Sequence, residues 1–218
     1  MKVLIKAFMV TMSLLFIGIG NSVYAGPVLL QDAYTTTGVY ASINYGSSPS
    51  LNVAANVTSY LQFSVNSYVP TGIIGKDVAK ATLKIFVNSV TTAGSFNVSS
   101  VNSAWIEETI RGNYRPIIGL KVAGPIAIPT TLAKHWISID ITHQVQDWLD
   151  GISINNGLAL IAANNINVSF DSKESATFSQ APEIDIIMAK VPGIQGPKGP
   201  QELLERLVQK DLLELLVQ

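Results

Sequence analysis

Between Pro27 and about Lys190, polar and apolar side chains alternate in short runs broken by Gly, Asn, Pro and Ser, and helical spacing is almost absent. A period of two places successive side chains on opposite faces of a strand, so each run predicts a half-buried β-strand. Tyr60-Leu61-Gln62-Phe63-Ser64-Val65 is one such run. In the run 79–87, the pattern puts Lys80, Thr82 and Lys84 on one face and Ala79, Ala81, Leu83 and Ile85 on the other. Further strands are predicted at residues 95–101, 136–141, 157–162, 168–170 and 183–189, each bounded by turn residues. So many short strands predict an all-β, antiparallel β-sandwich of jelly-roll type.

Residues 142–150 break the pattern. Val145, Trp148 and Leu149 fall on one helical face, Thr142 stands where a cap belongs, and Gly151 follows where a helix stops. One short helix plugging an end of the sandwich is predicted, with Trp148 in the core.

The two ends of the chain follow other rules. Lys2 and Lys6 precede an uncharged apolar run from Ala7 to Ile19, and Val23-Tyr24-Ala25 precedes Gly26. This is the layout of a signal peptide, 1–25, cleaved after Ala25, and the run is too short to cross a bilayer. A head domain, 26–190, follows. Then Gly193-Ile194-Gln195-Gly196-Pro197-Lys198-Gly199-Pro200-Gln201 carries Gly at every third position, a collagen-like stub, 191–201.

Residues 202–218 are Gly-free and Leu-rich, which at face value is an amphipathic terminal helix. The triplet register beyond Gly199 falls on Glu202, Glu205, Val208, Asp211, Glu214 and Val217, all of which have codons beginning with G. The residues before them, Gln201, Leu204, Leu207, Lys210, Leu213 and Leu216, can all have codons ending in G. Each junction can therefore spell glycine in the neighbouring frame. The tail reads as frameshifted collagen-like sequence from a longer stalk.

With 218 residues, 48% apolar and 13% charged, the chain can bury one sizeable core. Loss of the signal peptide leaves 12 basic against 15 acidic side chains and a net charge of −3. No polybasic patch survives to bind nucleic acid, and no membrane partner is expected after cleavage. The chain has no cysteine, so stability rests on packing, and thiolate metal sites and cysteine nucleophiles are excluded.

Several landmarks occur together in order. They are Asp32-Ala33-Tyr34, Asn44-Tyr45-Gly46, Leu51-Asn52-Val53, Tyr60-Leu61-Gln62-Phe63 and Trp105-Ile106-Glu107-Glu108-Thr109, then Ile139-Asp140-Ile141-Thr142, Val145-Gln146-Asp147-Trp148-Leu149, Asn155-Asn156-Gly157-Leu158 and Phe170-Asp171-Ser172-Lys173-Glu174. With them the head resembles the disaggregatase-related DNRLRE domains, which are grouped with a carbohydrate-binding module family of jelly-roll type. The resemblance implies a β-sandwich adhesive or carbohydrate-binding head on extracellular bacterial or archaeal proteins, without catalysis. Gln62 and Ser64 stand where that family has Arg and Asp.

Sugar binding needs an exposed aromatic face beside planar polar groups, and an acidic glycan also demands Lys or Arg. Trp105, Arg111, Tyr114 and Arg115 lie in one loop-like stretch that meets the need, unless Trp105 fills the core and the arginines only solubilise the loop. Lys80 and Lys84 form a second basic candidate, with edge protection as its plainer role. Glu107 and Glu108 are adjacent on the chain and point apart, which defeats a shared acid and base geometry. His135 and His143 with Asp140 lack a nucleophile elbow. Asp32, Asp140 and Asp171 offer oxygens without an acidic ligand loop, so they are read as fixing turns and no metal or cofactor is assigned.

Three functions are compatible with these residues. The first is a secreted, non-catalytic adhesive protein of the cell or spore surface, its head carried on a collagen-like stalk. The second is a soluble module for an acidic polysaccharide, accessory to a degrading enzyme, and the third is such an enzyme itself. A full-length collagen-like form would be a homotrimer; nine residues of repeat cannot hold a triple helix, so this form is expected to be a monomer.

Overall fold

The computed structural model describes residues 26–176 and 180–189. The predicted signal peptide, collagen-like stub and Leu-rich tail lie outside the described residues. Ten antiparallel strands make up the fold: β1 (Leu29–Thr36), β2 (Ser50–Ala54), β3 (Val57–Phe63), β4 (Val78–Thr92), β5 (Gly94–Val101), β6 (Ile118–Ile128), β7 (His135–Asp140), β8 (Leu158–Ala162), β9 (Asn167–Asp171) and β10 (Glu183–Met188). Two α-helices, α1 (Val65–Tyr68) and α2 (Thr142–Leu149), complete it.

The pairing resolves into two layers. In one, β7 lies along one edge of β4, β10 and β9 follow each other along its other edge, and β2 pairs with β9. In the other the order is β1-β3-β8-β5-β6. The turn between β2 and β3 joins the layers through a single strand pair, Ala54 with Val57, after which the two strands part. The chain also passes from one layer to the other between β4 and β5, where Ala93 alone separates the two strands.

Alternation builds the core as the pattern predicts. Leu83, Ile85, Val87, Ile137, Ile139, Val168 and Phe170 from the first sheet meet Leu61, Phe63, Phe96, Val98, Leu158 and Leu160 from the second in one buried cluster. Phe96 and Phe170 touch edge to face across the layers, with ring centroids 5.5 Å apart. α2 closes one end, with Val145 and Trp148 in the same cluster.

Four local expectations are corrected. Ala79 is exposed rather than inward, because the β4–β10 register slips between Ile187 and Met188, and the extra residue turns it outward. Val65 starts α1 instead of ending a strand, giving two α-helices where one was expected. Thr142 is not the helix cap: that place belongs to Ile141, while Asp140 Oδ1 accepts from the Thr142 amide at 2.9 Å and hydroxyl at 2.6 Å. These bonds hold the Asp140 carboxyl below its ordinary value. Gly151 does end the helix, at φ +70°. β1, β2 and β6 are not among the predicted strands; in β6, Gly119, Gly124 and Pro125 interrupt the pattern, and its pairing with β5 slips at three places.

Candidate functional site

The outer face of the second sheet is apolar where a soluble sheet would be polar. Ala33, Tyr60, Val101 and Ala159 are buried there, under Trp105 and Ile110 of the loop that joins β5 to β6. Trp105 is only 8% exposed, lies 5.9 Å from the Tyr60 ring, and donates its indole N–H to the Asn156 carbonyl at 2.9 Å. Of its two sequence-level roles it fills the core role, as the anchor of the loop.

Hydrogen bonds fix the loop to its neighbours. Asn44 Nδ2 donates to the carbonyls of Glu107 (2.7 Å) and Ile110 (2.8 Å), and the Glu107 amide donates to Gln31 Oε1 at 2.8 Å. Gly112 permits the approach to β1: a Cβ there would stand 1.8 Å from the Thr36 carbonyl oxygen. Gln62, where the resembled family has Arg, bonds to Gln31 at 2.7 Å and to the Asn155 carbonyl.

The fixed loop leaves a cleft of about 380 Å³ lined by Trp105, Ile106, Thr109, Arg111, Tyr114 and Arg115, among others. Tyr114 is 77% exposed, and the Arg111 guanidinium stands 5.8 Å from its ring centre. Neither Arg111 nor Arg115 joins a salt bridge among the described residues. The four residues singled out in this stretch of sequence thus share one cleft, three as its surface and Trp105 as its floor.

Lys80 and Lys84 lie elsewhere, on the outer face of the first sheet. Lys84 Nζ is 2.5 Å from Glu183 and 3.3 Å from Asp185 on β10, and these carboxylates raise the lysine above its ordinary 10.5. It also stands 5.9 Å from the ring centre of Trp136, which is 39% exposed. Pairing of charges across neighbouring strands accounts for Lys84 without a ligand.

The polar candidates disperse. His143 faces solvent, 3.8 Å from Asp147 one helical turn on, and His135 bonds to the Ala133 carbonyl. Asp140 is held by Thr142, and Asp171 accepts from Asn88 at 2.5 Å. Asp32 is different. It is 1% exposed, and its Oδ2 accepts from the Lys173 amide at 2.9 Å. Burial pushes its carboxyl up to about 8, against 3.8 ordinarily, with nearby Glu174 adding to the rise.

Asp32 has two carboxylate neighbours, Glu107 and Glu174, and one oxygen from each of the three falls within 4.8 Å of the others. Glu107 also accepts from the Asp32 amide, at 2.9 Å, on the free edge of β1, whereas Glu108 is exposed. Lys173 Nζ bonds to Glu107 at 2.6 Å and to Glu174. Burial works to lower this lysine, but the two carboxylates outweigh it and leave it above 10.5. No sequence motif announces this cluster, because its members come from β1, the β5–β6 loop and the turn after β9.

The profile of carbohydrate-binding module family 96 matches residues 27–186, a span that contains both the cleft and the cluster. No curated protein matches the chain.

Proposed function

The chain belongs to carbohydrate-binding module family 96, and from that premise we propose that the β5–β6 cleft is where it holds a glycan. The observation that carries this is the exposed Tyr114 ring, braced by Arg111 and flanked by Arg115 on a loop anchored by Trp105. A pyranose presents an apolar C–H face to such a ring, and its hydroxyls or carboxylates can accept from guanidinium groups. Two arginines without carboxylate partners among the described residues favour an acidic polysaccharide, and so favour the module of a polysaccharide-binding assembly.

The sequence extends the proposal to the setting. Lys2, Lys6 and the apolar run after them support export, and the glycine triplets from Gly193 support a collagen-like stalk that would carry a DNRLRE-type head on a cell or spore surface. Binding, without turnover, is the proposed activity.

The test is a glycan array probed with the whole protein, using acidic and neutral polysaccharides. Signal on acidic glycans that falls about tenfold in affinity in Arg115→Ala, or about 1.4 kcal/mol, is the expected result. Silence across the array would leave the head a scaffold, and release of reducing ends from any polysaccharide would make it an enzyme.

A further inference from the structure

Among the described residues, the aromatic rings that solvent reaches most are those of Tyr114, at 77%, and Tyr40, at 60%. They are far apart in the chain, yet the fold sets them on abutting loops. The Asn113 amide donates to the Ala41 carbonyl at 3.1 Å, and a Cβ on Gly112 would stand 3.1 Å from the Ala41 Cα, so the β1–β2 loop lies directly against the β5–β6 loop. Each tyrosine is one residue from that joint. At about 3.8 Å per peptide step and about 5.5 Å across a hydrogen-bonded pair, their Cα atoms lie within about 13 Å of each other.

The backbone of Tyr40 is fixed while its side chain is left over. Its carbonyl accepts from the Thr36 hydroxyl and from the Ile43 amide, each at 3.0 Å, and Gly38 opens the turn in the left-handed region at φ +76°. The ring stacks on no other ring, and the hydroxyl has no hydrogen-bond partner, among the described residues. Tyr45, in the same loop, is by contrast stacked on Tyr34 with centroids 4.2 Å apart. No side chain from Thr37 to Pro49 is charged, so the surface around Tyr40 offers an apolar ring among neutral groups.

We propose that Tyr40 is a second sugar platform, which continues the Tyr114 cleft across the Ala41–Asn113 joint and makes the module bind a stretch of polysaccharide chain rather than a single sugar unit. This rests on the reading of that cleft as the glycan site. A unit that bears a carboxylate lies at Tyr114 with Arg111 and Arg115, and a neighbouring unit lays its apolar C–H face on Tyr40, where no cation demands a charge. The held turn spares the cost of ordering the loop on binding. Contact with a ring face scarcely responds to salt, whereas exposed guanidinium–carboxylate pairs weaken as salt screens them.

The test is calorimetric titration of the full chain with oligogalacturonates and with β-linked oligoglucuronates, from the single sugar to the hexamer, at low and at high sodium chloride. Expected is a climb in affinity with length that is about tenfold larger in the wild type than in Tyr40→Ala, the difference being equal at both salt levels. Tyr40→Phe, which keeps the ring face, restores the climb, and both variants unfold at the wild-type Tm because the side chain is exposed. Equal climbs in the wild type and Tyr40→Ala, or a climb that Tyr40→Phe fails to restore, would overturn the second platform and leave the Tyr114 cleft standing. A wild type that binds neither series at any length would tell against the cleft itself, and the platform would fall with it.

Discussion

Replacing Asp32 by Asn separates what this buried carboxyl does from what its neighbours do. Asp32 has a folded-state pKa of about 8 and an ordinary value of 3.8. From about pH 5 to pH 7 the folded protein therefore holds one proton that the unfolded chain has released. The sign follows from that excess: stability from Asp32 is fully present below 3.8 and is lost as pH rises through about 8. The slope is about 1.4 kcal/mol per pH unit, so about 3 kcal/mol disappears between pH 5 and 7. Other ionisations shifted by the fold lie outside this window, with Asp140 below 3.8, Lys84 and Lys173 above 10.5, and Tyr34 and Tyr60 above 10. Urea unfolding at pH 5, 6 and 7, with chelator present to keep divalent ions out, measures the slope in both proteins. Asp32→Asn, which is neutral at every pH, is expected to lack the wild-type slope. Equal slopes in the two proteins, or a wild type that gains stability over this range, would refute the reasoning.

Trp105→Ala removes the anchor beneath the cleft and is expected to cost about 3–5 kcal/mol in urea unfolding, because the ring is buried against Tyr60 and its N–H is bonded. A loss under about 1 kcal/mol would show that the loop is not held from below. Lys84→Met is expected to change stability by less than about 1 kcal/mol, since its partners are partly exposed at the surface, and to leave glycan binding unchanged. A glycan affinity that collapses in Lys84→Met would move the site to the other face of the sandwich.

The sequence disclosed what local repetition encodes. The alternation in β4 announced the strand and its inward Leu83 and Ile85, and the Val145–Trp148 spacing announced α2, because each depends on neighbours a few residues apart. Ala79 was misplaced since a bulge is set by the partner strand, here β10, which lies over 100 residues away in the chain. β6 was hidden by its own glycines and proline. The cleft was legible because Trp105, Arg111, Tyr114 and Arg115 lie within twelve residues of one another. The carboxylate cluster was not, since Asp32 meets Lys173 across a separation of 141 residues and only the closed sandwich brings them together. The same closure places Asp140 beside Thr142 and Asp171 beside Asn88, at points separate from Asp32.

Whether the β5–β6 loop is the carbohydrate face can be read directly from backbone amide shifts. The isotope-labelled protein would be titrated with the oligosaccharide that gives the strongest array signal. The account predicts shifts concentrated between Trp105 and Pro116, abolished in Tyr114→Ala while its Tm stays at the wild-type value. Shifts gathered instead around Lys84 and Trp136, or a Tyr114→Ala protein that binds as tightly as the wild type, would contradict it.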